Sequence, residues 1–356
     1  MSSLYAETYM RAIKDIKLKK SLISISKERR IFPSVAAAVV IVSFTASGVG
    51  LACMSHGFSI FFATMLIALA KICAWYLTHD CAHNCAFRSK AANSLVGECL
   101  SFLNGLSFFS FESYRKDHVR HHAEKIDISG FDSRRFAEVY PKIFSGIRLS
   151  EKAYIPVFYY LIKAVGVYHA VLSDRRRESA RAVGSICVYA VALTVFARSS
   201  LLLILVWQLS SLIRIHVVRF VDCFQHSFQQ VHPGGVKLPH DKFYEIHNTF
   251  SVPVARKYKF LNLIILNFGY HTAHHCFPSC PWYMLPKLDS TIMEQLSHYG
   301  IPEAREESCS FLDFIAAYHR GRTLRLVSDS EGHAYDAEGK FSTHDFTGAY
   351  SDKILG

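Results

Sequence analysis

Four long apolar segments constrain the fold of this chain more than any other feature. The first, from Phe32 to Met54, contains no charged residue, and the second, from Phe58 to Thr78, contains only Lys71. Two shorter apolar runs follow, from Ala182 to Ala197 and from Leu201 to Ile213. About 20 apolar residues in a helix are enough to cross the hydrocarbon layer of a bilayer. The sequence therefore predicts an all-α membrane protein with four transmembrane spans.

Short connectors pair these spans into two hairpins. Residues 55–57 join the first two segments, and residues 198–200 join the last two. The run from 182 to 197 is somewhat short, so we expect either a longer helix or a locally thinned bilayer. Lys71 is expected either to snorkel towards the cytoplasmic side or to face a polar cavity. Polar residues interrupt two further apolar segments, 95–111 and 153–172, and we predict that these are re-entrant or interfacial helices.

The distribution of basic residues predicts the orientation in the membrane. The net charge is +11 with histidine neutral. Basic residues crowd positions 11–30, 88–120, 175–181 and 214–219, whereas both hairpin connectors are nearly uncharged. The positive-inside rule then places both termini and every large loop in the cytoplasm. The membrane would be a bacterial inner membrane or the endoplasmic reticulum. Nucleic-acid binding is excluded, because there is neither a soluble basic face nor a known binding module.

Three regions are expected along the chain. Residues 1–30 are polar and basic, and they predict a cytoplasmic leader that lies on the membrane surface. Residues 31–290 form the membrane domain, with its spans, its interfacial helices and a helical cap on the cytoplasmic side. Residues 291–356 form a cytoplasmic C-terminal region. Its last part, from Leu326 onward, is rich in Ser, Asp and Gly and is predicted to be loosely ordered.

Histidine is abundant, with 19 residues, and eight of them form three clusters. Residues three and four positions apart share one face of a helix, so HxxxH aims both imidazoles at one point, and HxxHH aims its first histidine with one or both of the others. Imidazole binds iron, zinc, copper and nickel, and eight imidazoles exceed what one tetrahedral zinc accepts. The count therefore predicts two metal ions. The clusters are His79 and His83; His118, His121 and His122; and His271, His274 and His275.

The predicted topology brings these clusters to one side of the membrane. The first begins where the second span ends, the second lies in the loop between the hairpins, and the third follows the last span. All three can therefore meet at the cytoplasmic surface. Thiolates are nearby as well, but the imidazoles already suffice as ligands. The cysteines concerned are Cys81, Cys85, Cys276 and Cys280.

The motifs HDxxH, HxxHH and HxxHH, in this order and with these spans between them, resemble the three histidine boxes of the membrane fatty acid desaturases. The resemblance covers roughly residues 35–290. The run Asn267–Tyr270 before the third box and the run Pro281–Tyr283 after it are similar to bacterial members. The resemblance implies two iron ions, O2 as co-substrate and a fatty acyl substrate that gains a double bond. Similar boxes occur in hydroxylases, acetylenases and terminal-alkene-forming decarboxylases, so a hydroxylase or a decarboxylase remains an alternative.

Members of this family often use one more ligand between the second and third boxes. The resemblance makes His226 the candidate here. His216 and His247 are alternatives, with a structural or supporting role as their default. Three carboxylates could orient imidazoles by accepting their second N–H, or they could simply be solvated or cap helices. These are Asp80, Asp222 and Glu245.

The reaction implies partners. Desaturation takes two electrons from the substrate and two from an external donor. No electron-transfer domain is visible in the sequence, so a ferredoxin-like or small haem protein is expected. The basic residues of the loops, such as Arg115, Lys116 and Arg120, either dock an acidic partner or only fix the topology. A non-catalytic alternative is a metal-binding membrane protein such as a zinc transporter or sensor. Transporters place their ligands near the membrane midplane, whereas these clusters lie beyond the spans.

Overall fold

A computed structural model of the chain describes residues 14, 16–54, 56–104, 108, 110–128, 131–231, 237–298, 311–323 and 326. Within these residues the fold is helical, with one pair of three-residue strands. The predicted loosely ordered tail lies outside the described residues, apart from Leu326. The elements are α1 (Ile16–Ser26), α2 (Ile31–Cys53), α3 (Gly57–Ala82), α4 (Lys90–Leu103), α5 (Phe111–Glu124), β1 (Ile126–Ile128), α6 (Ser133–Val139), α7 (Pro141–Lys152), α8 (Val157–Val171), α9 (Arg176–Ser199), α10 (Leu201–Asp222), β2 (Gln229–Val231), α11 (Lys242–His247), a 3-10 helix (Lys259–Ile265), α12 (His271–Cys276), α13 (Leu285–His298) and α14 (Phe311–Gly321).

Four helices, α2, α3, α9 and α10, are long and apolar enough to cross a membrane. The predicted bundle of two hairpins is thereby confirmed. Helix α9 begins at Arg176, six residues before the apolar run, and its 24 residues remove the shortfall in length. Side chains fix the turns between the helices. At the first turn the backbone N–H of His56 donates to Ser59 Oγ at 3.1 Å, and at the second Ser200 Oγ accepts from the N–H of Leu202 at 3.2 Å.

Lys71 joins the two hairpins instead of snorkelling. Its side chain is buried in α3, and its Nζ donates to Trp207 O at 2.9 Å, Ser210 Oγ at 2.9 Å and Ser211 Oγ at 2.7 Å. All three acceptors belong to α10. A buried ammonium is costly unless it is hydrogen-bonded, and neutral oxygens of the neighbouring helix meet that need here. The prediction that Lys71 reaches back to the cytoplasmic surface is therefore wrong.

Helices α4 and α8 are shorter than the four spans. They contain 14 and 15 residues, fewer than the roughly 20 that a bilayer crossing requires. Ser89 begins α4 by accepting the N–H of Ala92 at 3.4 Å. Their length agrees with an interfacial or re-entrant position, which stays a prediction.

A short parallel pair of strands connects two distant parts of the chain. In β1 and β2, Ile126 pairs with Gln229 and Ile128 pairs with Val231. Helix α5 ends at Glu124, and the capping residue Lys125 adopts a left-handed conformation with φ 54°. The chain thus turns directly from the second histidine cluster into β1. Periodicity of apolar residues did not predict these strands, because three residues are too few to show alternation.

The third histidine cluster rests on a tight backbone crossing. A Cβ at Gly269 would lie 2.6 Å from Val252 O and 2.7 Å from the Cα of Pro253. Both atoms belong to the backbone, so they cannot move aside as a flexible side chain would. Only glycine therefore allows the segment before α12 to approach this closely. The preceding residue, Phe268, packs with Trp75 and Tyr76 of α3 in the largest buried apolar cluster of the described residues.

Candidate metal centre

Nine histidines from four parts of the chain meet at the end of the bundle where α3 and α10 finish. His79 lies in the last turn of α3, and His83 follows it. The second cluster lies on α5 and the third on α12, while His226 lies in the loop between α10 and β2. Seven of the nine side chains are buried, and His83 and His122 are half-buried.

The nine imidazoles form two adjoining groups. In the five-histidine group one ring nitrogen of every member lies within 4.8 Å of the others, and its members are His79, His83, His118, His122 and His274. The same holds for His121, His226 and His275. His271 adds to these, with its Nε2 2.7 Å from His226 Nε2, and the four make up the four-histidine group. A third set of close ligand atoms, from His122, Glu245 and His275, connects the two groups.

Contacts between ring nitrogens show that the five-histidine group fits a cation. The Nε2 atoms form a chain: His83 to His118 at 2.8 Å, His118 to His122 at 3.2 Å, and His122 to His274 at 3.1 Å. Neutral imidazoles carry one N–H each, so N–H···N bonds can satisfy at most two of these three contacts. A shared metal satisfies all of them, because ring nitrogens about 2.1 Å from one ion at right angles lie about 3 Å apart.

The four-histidine group offers a lone pair whose orientation is fixed. The Nδ1–H of His275 donates to Glu245 Oε1 at 3.1 Å, so its Nε2 carries the lone pair. That Nε2 is buried and has no hydrogen-bond partner among the described residues. His79 Nε2, at the other group, is buried without a partner in the same way. Orphaned buried nitrogens of this kind are the donors that a metal requires.

Neighbouring carboxylates hold the rings in place. Glu245, one of the three predicted orienting residues, is buried and holds His275. Asp80 acts differently, because its Oδ2 accepts the backbone N–H of Trp282 at 2.8 Å and its Oδ1 lies 3.6 Å from Nδ1 of His79. It therefore tethers the first histidine box to the segment that follows the third.

The remaining predicted residues lie around the two groups. Asp222 lies near Tyr114, whose ring stacks on His118. His216 is outside both groups, because its Nδ1 bonds Tyr318 Oη and its Nε2 bonds Tyr154 O, both at 2.9 Å.

His247 and the four nearby cysteines also lie outside the groups. The ring of His247 stacks on Phe243 at the end of α11. None of Cys81, Cys85, Cys276 and Cys280 belongs to a potential metal-binding group of the described residues. Of the three histidines considered as an additional ligand, His226 alone joins these groups.

Burial favours the neutral form of several of these imidazoles. Desolvation, followed by the neighbouring imidazoles, holds the pKa of His118, His122 and His274 well below the usual range. Burial is also the main cause that lowers the pKa of His226, and it lowers the pKa of His83 to about 3. Metal ligation requires the unprotonated ring. The centre is therefore ready to bind cations at neutral pH without first releasing protons from these rings.

A comparison with models of known protein families shows to which family the chain belongs. The family model described as fatty acid desaturase matches residues 55–306, which is more than half of the chain. The chain belongs to the fatty acid desaturase family. A fatty acid desaturase from Bacillus subtilis is 25% identical over 252 residues, which are 62% of this chain and 66% of that protein. A human sphingolipid delta(4)-desaturase/C4-monooxygenase is 26% identical over 260 residues, which are 70% of this chain and 72% of the relative.

One supporting residue of this desaturase-family centre was missed by the sequence reasoning. Nδ1 of His121 donates to Ile126 O at 2.9 Å, and Asp127 Oδ1 lies 3.3 Å from the same nitrogen. Asp127 is buried, although it carries a charge and lies in a three-residue strand. Its position five residues after the second histidine box was the available signal. The pairing of β1 with β2, which places it there, is not visible in the sequence.

Proposed function

We propose that this chain is an O2-dependent oxidoreductase that introduces a double bond into a fatty acyl chain at a pair of irons. The nine histidines would be the ligands: His79, His83, His118, His122 and His274 for one iron, and His121, His226, His271 and His275 for the other. When bound, the irons would supply the O2-activating chemistry: two hydrogens leave adjacent carbons, an external donor adds two electrons, and O2 is reduced to two waters with uptake of two protons. Family membership supports the reaction class.

The observation that carries this proposal is the convergence of nine imidazoles, seven of them buried, with two orphaned Nε2 atoms. An all-imidazole set suits a transition metal and not Mg²⁺ or Ca²⁺, which prefer oxygen ligands. Because the ligands come in two adjoining groups, two ions are favoured over one.

The chain's own residues would orient the ligands and exclude water. Glu245 fixes the tautomer of His275, and Ile126 O with Asp127 does the same for His121. Phe268 packs its ring 4.6 Å from that of His79 and 4.8 Å from that of His271. An apolar side chain in this position would keep bulk water from the reacting carbons.

The setting of the reaction is also proposed. The end of the bundle that holds the histidines would face the cytoplasm, since basic residues crowd the loops on that side. An external protein, ferredoxin-like or a small haem protein, would supply the two electrons that the substrate does not. Residues 1–30 would form the membrane-surface leader, 31–290 the catalytic membrane domain, and 291–356 the cytoplasmic C-terminal region.

Hydroxylation is the second candidate. It is favoured by the name of the human relative, which combines a desaturase with a C4-monooxygenase. The same centre would then transfer oxygen to the first carbon in place of removing a second hydrogen. Transport of a metal is disfavoured, because His79 lies in the last turn of α3 and not near its middle.

Metal analysis combined with lipid profiling tests the proposal. Purified full-length protein should contain about two irons per chain, and an expressing host should accumulate an unsaturated acyl chain by mass spectrometry. A product that retains one oxygen would assign hydroxylation, and a product one carbon shorter would assign decarboxylation. His122→Ala should lose iron and product together, because His122 lies where the two groups meet. If the purified wild-type protein contains two irons but the host that expresses it makes the same lipids as a host without it, the desaturase proposal is overturned.

A further inference from the structure

A cavity of about 230 Å³ lies among α8, α9, α10 and the end of α4. Its wall includes Tyr159 and Lys163 of α8 and Trp207, Ser211 and Arg214 of α10. Among the described residues that line it there is no aspartate or glutamate. The cavity is therefore cationic and aromatic.

Arg214 is the most unusual residue of this wall. Its side chain is 3% exposed, and its Nη2 donates to Tyr159 Oη at 3.0 Å. Its Nε has no hydrogen-bond partner, and within the described part of the chain no carboxylate oxygen lies within 4 Å of its guanidinium. Arg219, one and a half turns further along α10, instead pairs with the buried Glu151 at 3.1 Å. A buried guanidinium without a counter-charge is costly, and an intramembrane charge of this kind usually marks a binding site.

Two further basic side chains lie at the same cavity. The ammonium of Lys163 lies 5.6 Å from the ring centroid of Tyr159. Lys71 lies behind the wall, where its Nζ is 3.7 Å above the ring of Trp207 and donates to Ser211 Oγ. Together with Arg214, these residues place three basic groups around one small space, which favours an anion there.

We propose that this cavity binds the oxyanion end of an acyl lipid, with Arg214 as its principal contact. The planar fork of a guanidinium matches the oxygens of a carboxylate or a phosphate. The rings of Tyr159, Trp207 and Phe108 offer apolar walls to the first methylenes of the chain. The choice of an acyl lipid rests on the proposed function, whereas the preference for an anion rests on Arg214 and its basic neighbours.

The depth of the cavity relates it to the metal centre. Arg214 lies eight residues before Asp222 at the end of α10, and Lys71 lies eight residues before His79 on α3. At 1.5 Å per residue both are about 12 Å from the level of the histidines. A headgroup anchored there would bring a carbon from the middle of the chain, and not the carboxyl carbon, to that level. The anchor therefore favours oxidation in mid-chain over decarboxylation.

Competition binding tests this site. Full-length protein in detergent is equilibrated with tritiated palmitic acid, and the competitors are unlabelled palmitic acid, hexadecanol and dipalmitoyl phosphatidic acid. Palmitic acid should compete at least about tenfold better than hexadecanol, which has the same chain and no charge. Arg214→Gln should weaken palmitate binding about 10- to 100-fold, as expected for loss of a charged hydrogen bond. The exposed Arg198→Gln on α9 is the matched control and should bind like the wild type.

The outcomes separate the sources of the anion. Stronger competition by palmitic acid assigns the site to a fatty acid, and stronger competition by phosphatidic acid assigns it to a phospholipid. Equal competition by hexadecanol and palmitic acid, or unchanged selectivity in Arg214→Gln, overturns the proposal. If Arg214→Gln does not elute as a folded protein, Lys163→Met provides the same test and should reduce the preference for the anion. Iron content is recorded on the same preparations, so that a failed iron assay refutes the proposed function and leaves the anion result standing.

Discussion

Replacing Glu245 with glutamine tests how the four-histidine group would hold its proposed iron. Glu245 is 2% exposed, and its Oε1 accepts from His275 Nδ1 at 3.1 Å. Its Oε2 accepts from Lys242 Nζ at 2.7 Å, but that lysine side chain is 38% exposed, so the ion pair adds little. Glutamine keeps the shape and one acceptor oxygen and removes the negative charge from beside the ring.

The expected loss of iron affinity follows from the hydrogen bond between residue 245 and His275. A hydrogen bond to a charged group contributes about 1.5–3 kcal/mol, and a neutral one about 0.5–1.5 kcal/mol. The difference, about 1–1.5 kcal/mol, corresponds to roughly 5- to 10-fold weaker iron binding in the four-histidine group. Glu245→Leu removes the acceptor entirely and should weaken binding by about 10- to 100-fold, the usual range for residues that support metal ligands.

Timed chelation gives the measurement. Iron-loaded protein is incubated with a chelator, and the iron that remains per chain is measured by inductively coupled plasma mass spectrometry. Glu245→Gln should lose one iron faster than the wild type and keep the other. Glu138→Gln, at an exposed carboxylate paired with Arg134 on the surface of α6, should behave as the wild type. Equal release from Glu245→Gln and Glu138→Gln would refute the role given to Glu245.

Three further predictions concern other parts of the centre. His226→Ala should reduce iron to about one per chain, whereas His216→Ala, which lies outside both groups, should retain two. Equal iron contents of the two variants by mass spectrometry would contradict the place of His226 in the four-histidine group. The pKa of His83 is about 3 in the folded chain against an ordinary value of 6.5, so the unfolded state takes up a proton first as the pH falls. The free energy of unfolding of iron-free protein should therefore decrease from about pH 6.5 towards pH 3, and an unchanged thermal midpoint between pH 7 and pH 5 would oppose this. Gly269→Ala should lower the free energy of unfolding by about 1–3 kcal/mol, because the added Cβ meets backbone atoms. Gly184→Ala, whose Cβ would have nothing within 4 Å, should be neutral or slightly stabilising. Thermal unfolding of the two variants gives the measurement.

The sequence predicted those features that depend on local spacing. Uncharged runs of membrane-crossing length predicted the two hairpins, because helix length is set by the thickness of the bilayer. The spacing of His79 and His83 and of the two HxxHH motifs predicted that these rings would converge, because three and four residues complete a helical turn, but it did not predict how the rings divide into two groups. His226 was inferred from family resemblance, and the structure brings it to the same place.

Features that depend on pairing across the chain could not be predicted in this way. The role of Asp127 requires β1 to lie beside β2, about one hundred residues later in the chain. The partners of Lys71 depend on how the two hairpins pack, which composition does not encode. A longer α9 was one of the two expected alternatives, but its start at Arg176 was not predicted, because a charged first turn can extend a span without appearing in a hydropathy window.

The parallel contact between β1 and β2 has a consequence for how the protein is made. During synthesis the chain emerges from its N-terminus, so the second histidine cluster is complete long before residues 229–231 exist to support β1. His274, a member of the five-histidine group, is translated later still. Neither group can be complete on a half-made polypeptide. Either group can therefore gain its full set of ligands only after the third box has been translated.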